Sequence, residues 1–141
     1  MTTDCRKYEQ GDLGPLKDLL SELGYPVEFD ALRHNVDAVY KHGGEILIAE
    51  KDKKVVGSVC IVLDARLAEG LYAEIVSLVV AEEMRGQGIG MTLVKNAEAW
   101  AGKRVPKIRV RANEIRHAAH AFYRQQGFGE VKTQKVFIKH L

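Results

Sequence analysis

The most constraining stretch of the sequence is residues 78–90, where an apolar strand passes through a polar turn into a glycine-rich helix start. Three glycines, Gly86, Gly88 and Gly90, let the backbone bend tightly and bring bare N–H groups close to an anion. The following helix presents the positive end of its dipole, and Arg85 adds a fixed charge at the mouth. The stretch therefore predicts a phosphate-binding loop, with an ordinary helix-entry turn as the alternative.

Two commoner phosphate loops do not fit this spacing. A dinucleotide fingerprint needs its third glycine at position 91, which is Met91, and no Gly-Lys-Ser/Thr is present to make a P-loop. What remains is an Arg-x-x-Gly-x-Gly pattern that begins at Arg85.

Composition narrows the class of protein. The 141 residues predict a single domain over 1–141 with a sizeable core. The formal net charge is +2, from 21 basic and 19 acidic residues, which gives no general attraction to nucleic acid. No apolar run approaches a membrane span, and two cysteines are too few for a zinc site or a disulfide framework. We expect a cytoplasmic protein with reduced thiols and with no metal, nucleic acid or membrane partner.

The hydrophobic periodicity predicts a mixed α/β domain. Leucines spaced three and four apart predict a helix between a capping Asp12 and a terminating Gly24, and a second helical pattern follows to complete a helical pair over the sheet. The further predicted helices are 29–40, 89–102 and 115–126, and the predicted strands are 5–8, 45–50, 55–63, 71–80, 107–112 and 131–138.

A second pattern lies downstream of the glycine loop, and it consists of Asn113, Arg116, Ala119-His120, Phe122-Tyr123 and Gly127-Phe128. The order and spacing of these residues, and the glycine loop after Val79-Val80, resemble two segments of the GNAT family of N-acetyltransferases. The resemblance covers residues 72–138 well and the first half only in general pattern. It implies a mainly antiparallel central sheet of six to seven strands flanked by about four helices.

The resemblance implies acetyl-CoA as the cofactor and direct attack of an amine on the thioester, with no covalent intermediate. The implied cofactor-binding residues are Leu78, Val79, Val80, Arg85, Gly86, Gln87, Gly88, Ile89, Gly90, Asn113, Ala119, Phe122 and Tyr123. For Asn113 a cap on the next helix is an equal alternative. Homodimers are common among similar proteins, and we carry a homodimer forward as an expectation.

Acetyl transfer to an amine needs a base, because an amine with a pKa of about 10 is mostly protonated at neutral pH. Glu74, in the middle of an apolar strand, is the predicted base; the alternative is a strand glutamate that faces solvent or pairs with an arginine. Tyr123 matches the tyrosine that the family uses to protonate the departing thiolate, and the alternative for it is core packing.

Acceptor recognition is less readable. Tyr25 lies in the loop between the first two helices, where the resemblance places acceptor choice. Lys107, Arg109 and Arg111 alternate with apolar residues, so three cations share one face of a strand. They form either an electropositive wall for an anion or a solvated or interface face.

The acceptor is expected to be a primary amine of a small molecule or peptide. The pattern from Asn113 to Tyr123 is similar to that of aminoalkylphosphonate and other small-amine acetyltransferases. A different class of function stays open: a non-catalytic acyl-CoA-binding module that senses the cofactor or serves as an interaction subunit.

Overall fold

The computed structural model describes residues 3–141 of the chain. The chain divides into two compact units, one ending at Val110 and the other spanning Arg111–Leu141. The elements of the first unit are β1 (Asp4–Lys7), α1 (Leu13–Leu23), α2 (Phe29–Lys41), β2 (Glu45–Lys51), β3 (Lys54–Arg66), β4 (Gly70–Val80), α3 (Ile89–Gly102) and β5 (Ile108–Val110). The second unit contains α4 (His117–Gln125).

The strands form one sheet in the order β1-β2-β3-β4-β5. Neighbours from β1 to β4 pair antiparallel, and β5 pairs with β4 in parallel. A parallel pair requires a crossover of a dozen or more residues, which α3 supplies between these two strands. The mixed, mainly antiparallel sheet confirms the predicted fold class, and β1 confirms the predicted edge strand.

Helices cover both faces of this sheet. On one face Leu16 of α1 and Val36 of α2 pack against Ile46 and Ile48 of β2, so the first two helices form the expected lid. On the other face α3 packs against Gly57 of β3, where an added Cβ would lie 2.9 Å from a backbone oxygen and 3.1 Å from a leucine methyl of α3. Because both faces are covered, the central strands carry apolar residues at consecutive positions.

The limits of α1 follow from two local signals. Gly24 ends the helix with a left-handed φ of 100°, as its position after the leucine pattern predicts. Asp12 occupies the N-cap position, but its carboxylate does not cap α1. It accepts two hydrogen bonds from the Arg6 guanidinium and one from the Glu9 amide instead. This tie joins β1 to the start of α1.

The predicted strand at 131–138 is wrong. Among residues 3–141 the sheet has five strands rather than six or seven, and the chain after α4 forms neither helix nor strand. Val131, Val136, Phe137 and Ile138 are 84–88% exposed. Alternating apolar residues give a segment the propensity for a strand, but a strand forms only against a partner edge.

Candidate active site

The glycine loop has the backbone shape that the sequence predicts. Gly86 and Gly88 adopt left-handed φ angles of 79° and 81°, and α3 begins immediately after Gly88. These angles are strained for any residue with a Cβ, so glycine is required here by conformation rather than by lack of space. The turn delivers the chain directly into the first turn of a fourteen-residue helix.

The first turn of α3 is open to an anion. No side chain caps Gly88, and no acidic residue lies in the first turn. Ile89 is buried, and its side chain anchors the start of the helix in the core. The uncapped N–H groups and the helix dipole together favour a phosphate group at this position.

Two cations lie at the loop. Arg85 is exposed, and its Nε donates to the Val80 carbonyl at 3.2 Å. Lys51, at the end of β2, donates to the Gln87 side chain at 3.0 Å. Sequence reasoning missed Lys51, because it reaches the loop only through the pairing of β2 with β3 and of β3 with β4.

The strand before the loop has a free edge. Cys60 pairs with Ser77 while Ile61 pairs with Ile75, so Val76 is an extra, bulged residue on β4. On the other side β5 pairs with β4 only from Ala73 to Ile75. A bulge bends its strand, and within residues 3–141 no strand pairs with β4 beyond Ile75 on that side. The predicted residues Leu78, Val79 and Val80 lie on this open stretch.

Glu74 lies beside the divergence of β4 and β5 and is paired. Its Oε1 accepts a hydrogen bond from Arg109 Nε at 2.6 Å, and both side chains are at most 15% exposed. Arg109 also binds Asp64 and stacks 4.7 Å from the centre of the Tyr72 ring. The arrangement matches the alternative in which the strand glutamate pairs with an arginine.

Lys107 and Arg109, two of the three alternating cations, do not form a free positive surface, because both have partners. Arg109 is matched by two carboxylates, and Lys107 Nζ lies 4.5 Å from the Tyr72 ring centre. Arg111 follows the end of β5 and belongs to the second unit. The hydrogen bonds from Arg66 and Arg109 hold the pKa of Asp64 below its usual value.

An apolar groove of about 330 Å³ lies between the first two helices and the sheet. Tyr25, which is 64% exposed, stands in its wall with the rest of the α1–α2 loop. Ser58, Cys60 and Ser77 form its sheet side. Burial raises the pKa of the Cys60 thiol to about 11, so this cysteine stays protonated at neutral pH.

In the second unit, Tyr123 lies between two aromatic rings of the same unit. Its ring centre is 5.2 Å from that of Phe122 and 5.6 Å from that of Phe128. Burial raises the pKa of Tyr123 above its ordinary value, with a smaller opposing effect from the Arg116 charge. The hydroxyl therefore keeps its proton at neutral pH, as a proton donor must.

The start of α4 is organised by Asn113. Its Oδ1 accepts a hydrogen bond from the Ile115 amide at 3.1 Å, and its carbonyl lies 2.8 Å from His120 Nε2. This nitrogen must carry a proton to donate to the carbonyl. Asn113 thus builds the turn before α4, whose N-cap is Arg116. Ala119 is half-buried on the same helix.

The described residues contain neither a membrane-spanning helix nor a cluster of metal ligands. Within residues 3–141 no helix is long and apolar enough to cross a bilayer. The same residues contain no group of three or more His, Cys, Asp or Glu side chains placed to hold a metal ion.

Comparison with known proteins places this geometry in a family. The model of the Acetyltransferase (GNAT) family matches residues 15–128. A comparison with curated protein sequences gives no match.

Solved structures share the fold over nearly the whole chain. One is described as a transcriptional regulator from Bacillus halodurans C-125, with 23% identity, a TM-score of 0.84, and coverage of 99% of this chain and 100% of that one. Glucosamine-6-phosphate N-acetyltransferase from Arabidopsis thaliana is 17% identical, with a TM-score of 0.82 and coverage of 98% and 99%. The aminoglycoside 6'-N-acetyltransferase AAC(6')-IG from Acinetobacter haemolyticus is also 17% identical, with a TM-score of 0.84 and coverage of 98% and 99%.

Proposed function

The chain belongs to the GNAT acetyltransferase family and is an acetyl-CoA-dependent N-acetyltransferase, and from this premise we propose that it acetylates the primary amine of a small molecule or peptide by direct attack. The observation that carries the proposal is the juxtaposition of two features in the first unit. An uncapped helix start follows a left-handed glycine turn, and the strand that enters the turn has a free backbone edge.

These features fit two neighbouring parts of acetyl-CoA, its diphosphate and the amide-bearing arm that carries the thioester. The amides from Arg85 to Gly90 would hold the diphosphate, with Arg85 and Lys51 adding positive charge. The free edge at Leu78–Val80 would pair with the amide-bearing arm. Bound acetyl-CoA supplies an activated acetyl thioester. In the second unit we propose Asn113, Ala119, Phe122 and Tyr123 as further cofactor contacts.

We propose Glu74 as the group that removes the ammonium proton, through water. Arg109 donates to the Glu74 carboxylate at 2.6 Å and so holds this carboxylate in place where the pairing of β5 with β4 ends. Positioning of the amine by this carboxylate would supply much of its effect. Tyr123 holds the proton that the departing sulfur needs, because its buried phenol stays neutral.

A covalent acetyl-cysteine is not part of the proposal. Burial raises the pKa values of both Cys5 and Cys60, and a protonated thiol is a poor nucleophile. Both cysteines are free thiols, the state that a reducing compartment maintains, and we propose a cytoplasmic location.

We propose a primary amine as the acceptor and do not propose an aminoalkylphosphonate. A phosphonate needs a cation, but no lysine or arginine lines the groove, and Arg109 is matched by carboxylates. Tyr25, Arg109 and Arg111 stay proposed acceptor contacts, and of these Tyr25 is the one that lines the groove.

A homodimer is also proposed, on the exposed C-terminal segment of residues 131–138. Four large apolar side chains on it are 84–88% exposed, and exposed apolar residues of this kind are typical of protein interaction sites. Light scattering of the wild type and of Phe137→Ser tests this: we expect a dimer that the substitution weakens, and a monomeric wild type would end the proposal.

Two measurements test the enzymatic proposal. Acetyl-CoA at about 100 times its dissociation constant should stabilise the protein by about 2.7 kcal/mol in a thermal-shift experiment. Thiol release with a panel of primary amines then tests turnover. Binding without thiol release would favour the non-catalytic acyl-CoA-binding module, and no binding at millimolar acetyl-CoA would end both assignments.

A further inference from the structure

The groove between the α1–α2 pair and the sheet lies next to the proposed cofactor strand. Ser77 lines the groove, and Leu78 follows it on the free edge of β4. Because successive residues of a strand point to opposite faces, β4 presents a side chain to the groove while its edge stays open. An acceptor whose carbon skeleton occupies this groove would therefore lie close to an acetyl group delivered along β4.

The lining of the groove is apolar and without charge. Leu16 and Leu20 of α1 and Val36 and Val39 of α2 form its helical side, and none of the thirteen lining residues is Asp, Glu, Lys, Arg or His. The polar groups in the lining are neutral ones, from Ser58, Ser77, Asn35, Cys60 and Tyr25.

Farther along the sheet face that carries Cys60 and Ser77, the charged groups already neutralise one another. Glu74 and Asp64 share Arg109, and Asp64 also binds Arg66 at 2.8 Å. They offer a bound molecule a balanced cluster rather than an excess of one sign. A phosphate or a second ammonium in the groove would lose its water without gaining a partner of opposite charge, which is costly.

The volume limits how much of an acceptor the groove can enclose. About 330 Å³ is at the small end of ligand pockets, and at a water-sized share of volume per atom it holds on the order of ten non-hydrogen atoms. An aminoglycoside exceeds this size. A branched aliphatic or single aromatic body fits it.

We infer that the acceptor is a small monoamine whose body is apolar and carries no further charge. The inference rests on the proposed acetyl transfer and adds the substrate class to it. It separates this chain from two of the structural neighbours described above, whose names specify an aminoglycoside and a sugar phosphate as acceptors.

The test is a homologous series of amines, from ethylamine to pentylamine, followed by phenethylamine, glucosamine 6-phosphate and kanamycin, with thiol release as the readout. Each added methylene that enters the groove should raise kcat/KM about fourfold until the groove is filled. A flat series, or a preference for kanamycin or the sugar phosphate, would overturn the inference while leaving acetyl transfer intact. Absence of thiol release with every amine, despite a thermal shift with acetyl-CoA, would instead overturn the proposed function.

A charge variant sharpens the result. Asn35→Asp places a carboxylate in the groove at an exposed position of α2, with little risk to folding. We expect it to shift the ratio of kcat/KM for putrescine over butylamine upward by about tenfold. Gln10→Glu is the matched control, since it makes the same change of charge at an exposed site that does not line the groove. An equal shift in both variants would show that the groove does not hold the body of the acceptor.

Discussion

Arg109 Nε donates to the Glu74 carboxylate at 2.6 Å, at the register position where the two residues face each other across the parallel β4–β5 pair. The contact joins the two strands one position before their pairing ends at Ile75, and beyond Ile75 β4 is paired, within residues 3–141, with β3 alone. It also determines the charge of the sheet face beside the acceptor groove, because Glu74 and Asp64 together offset the guanidinium.

Removing one member of this pair should destabilise the protein more than removing both. Arg109→Gln leaves Glu74 buried without that partner, and we expect a loss of about 3 kcal/mol in the free energy of unfolding. The double variant with Glu74→Gln should lose less than Arg109→Gln alone, and therefore less than the sum of the single losses. Urea denaturation measures all three, with Arg33→Gln as a control because its partner Asp30 is 90% exposed. Strict additivity would mean that the pair carries no coupling energy.

The same two variants separate their roles in turnover. Glu74→Gln should lower kcat about 100-fold if the carboxylate accepts the amine proton. Arg109→Gln should leave the KM for acetyl-CoA unchanged, because its charge is already matched. A rise in that KM would restore the electropositive-wall hypothesis for Arg109 and Arg111, and an unchanged kcat in Glu74→Gln would remove it as the base.

Gly88→Ala should weaken acetyl-CoA binding. An alanine at a φ of 81° costs about 1–2 kcal/mol, and the chain would relieve the strain by shifting the turn that aims the α3 amides. The thermal shift given by acetyl-CoA should fall accordingly. Gly102→Ala is the control, since that residue ends the same helix without a left-handed φ and with open space around it. If both variants bind acetyl-CoA like the wild type, the glycine turn does not hold it.

Asp12 predicts how stability changes in acid. Hydrogen bonds from Arg6, and then from the Glu9 amide, lower the pKa of Asp12 in the folded state. A lowered folded pKa gives stability that is complete above the unfolded value, about 3.9, and is lost as the pH falls through the folded pKa. Melting temperatures from pH 7 to pH 3 should therefore fall less steeply in Asp12→Asn, which is already destabilised at pH 7. Asp30→Asn, at an exposed ion pair, should behave like the wild type.

Cys60 should not become acetylated. With a pKa of about 11, its thiolate fraction at neutral pH is about a hundredfold lower than that of an ordinary cysteine. Intact-mass spectrometry after incubation with acetyl-CoA and no amine should show the unmodified chain. Cys60→Ala should keep its kcat, with any change confined to the KM for the amine because Cys60 lines the groove. A stable acetyl adduct that the substitution removes would replace direct attack with a two-step mechanism.

Tyr123→Phe should lower kcat about 100-fold with little change in acetyl-CoA binding. Because the pKa of Tyr123 is raised, its hydroxyl stays protonated up to a pH above 10, so the wild type should show no loss of activity from this group below that pH. Measuring kcat as a function of pH up to this range tests the expectation. Turnover within a few-fold of the wild type in Tyr123→Phe would assign the residue to packing alone.

The elements predicted with greatest accuracy are those encoded by neighbouring residues. The start of α3 at Ile89, its end at Gly102 and the end of α1 at Gly24 were readable, because glycine placement and apolar spacing act within a few residues. The family was readable for the same reason, because its motifs lie within short stretches of the chain. The exact roles of Glu74 and Tyr123 remain predictions.

Features that depend on distant pairing were not readable. The contact of Lys51 with Gln87 joins residues 36 positions apart, and the bulge at Val76 exists only relative to β3. The sequence also gave the segment at 131–138 a strand pattern but could not supply the edge that a strand needs. In each case the missing information is which backbone lies alongside.

The bulge at Val76 has a consequence for how such an enzyme can diverge. Beyond it, recognition of the cofactor arm would fall to main-chain amides, which every amino acid carries, whereas the face of β4 toward the α1–α2 pair is made of side chains. Mutation can therefore change the face of β4 toward the α1–α2 pair one side chain at a time, while the main-chain groups of its free edge stay the same. A single strand thus combines a side-chain surface that can vary with a backbone edge that substitutions leave intact.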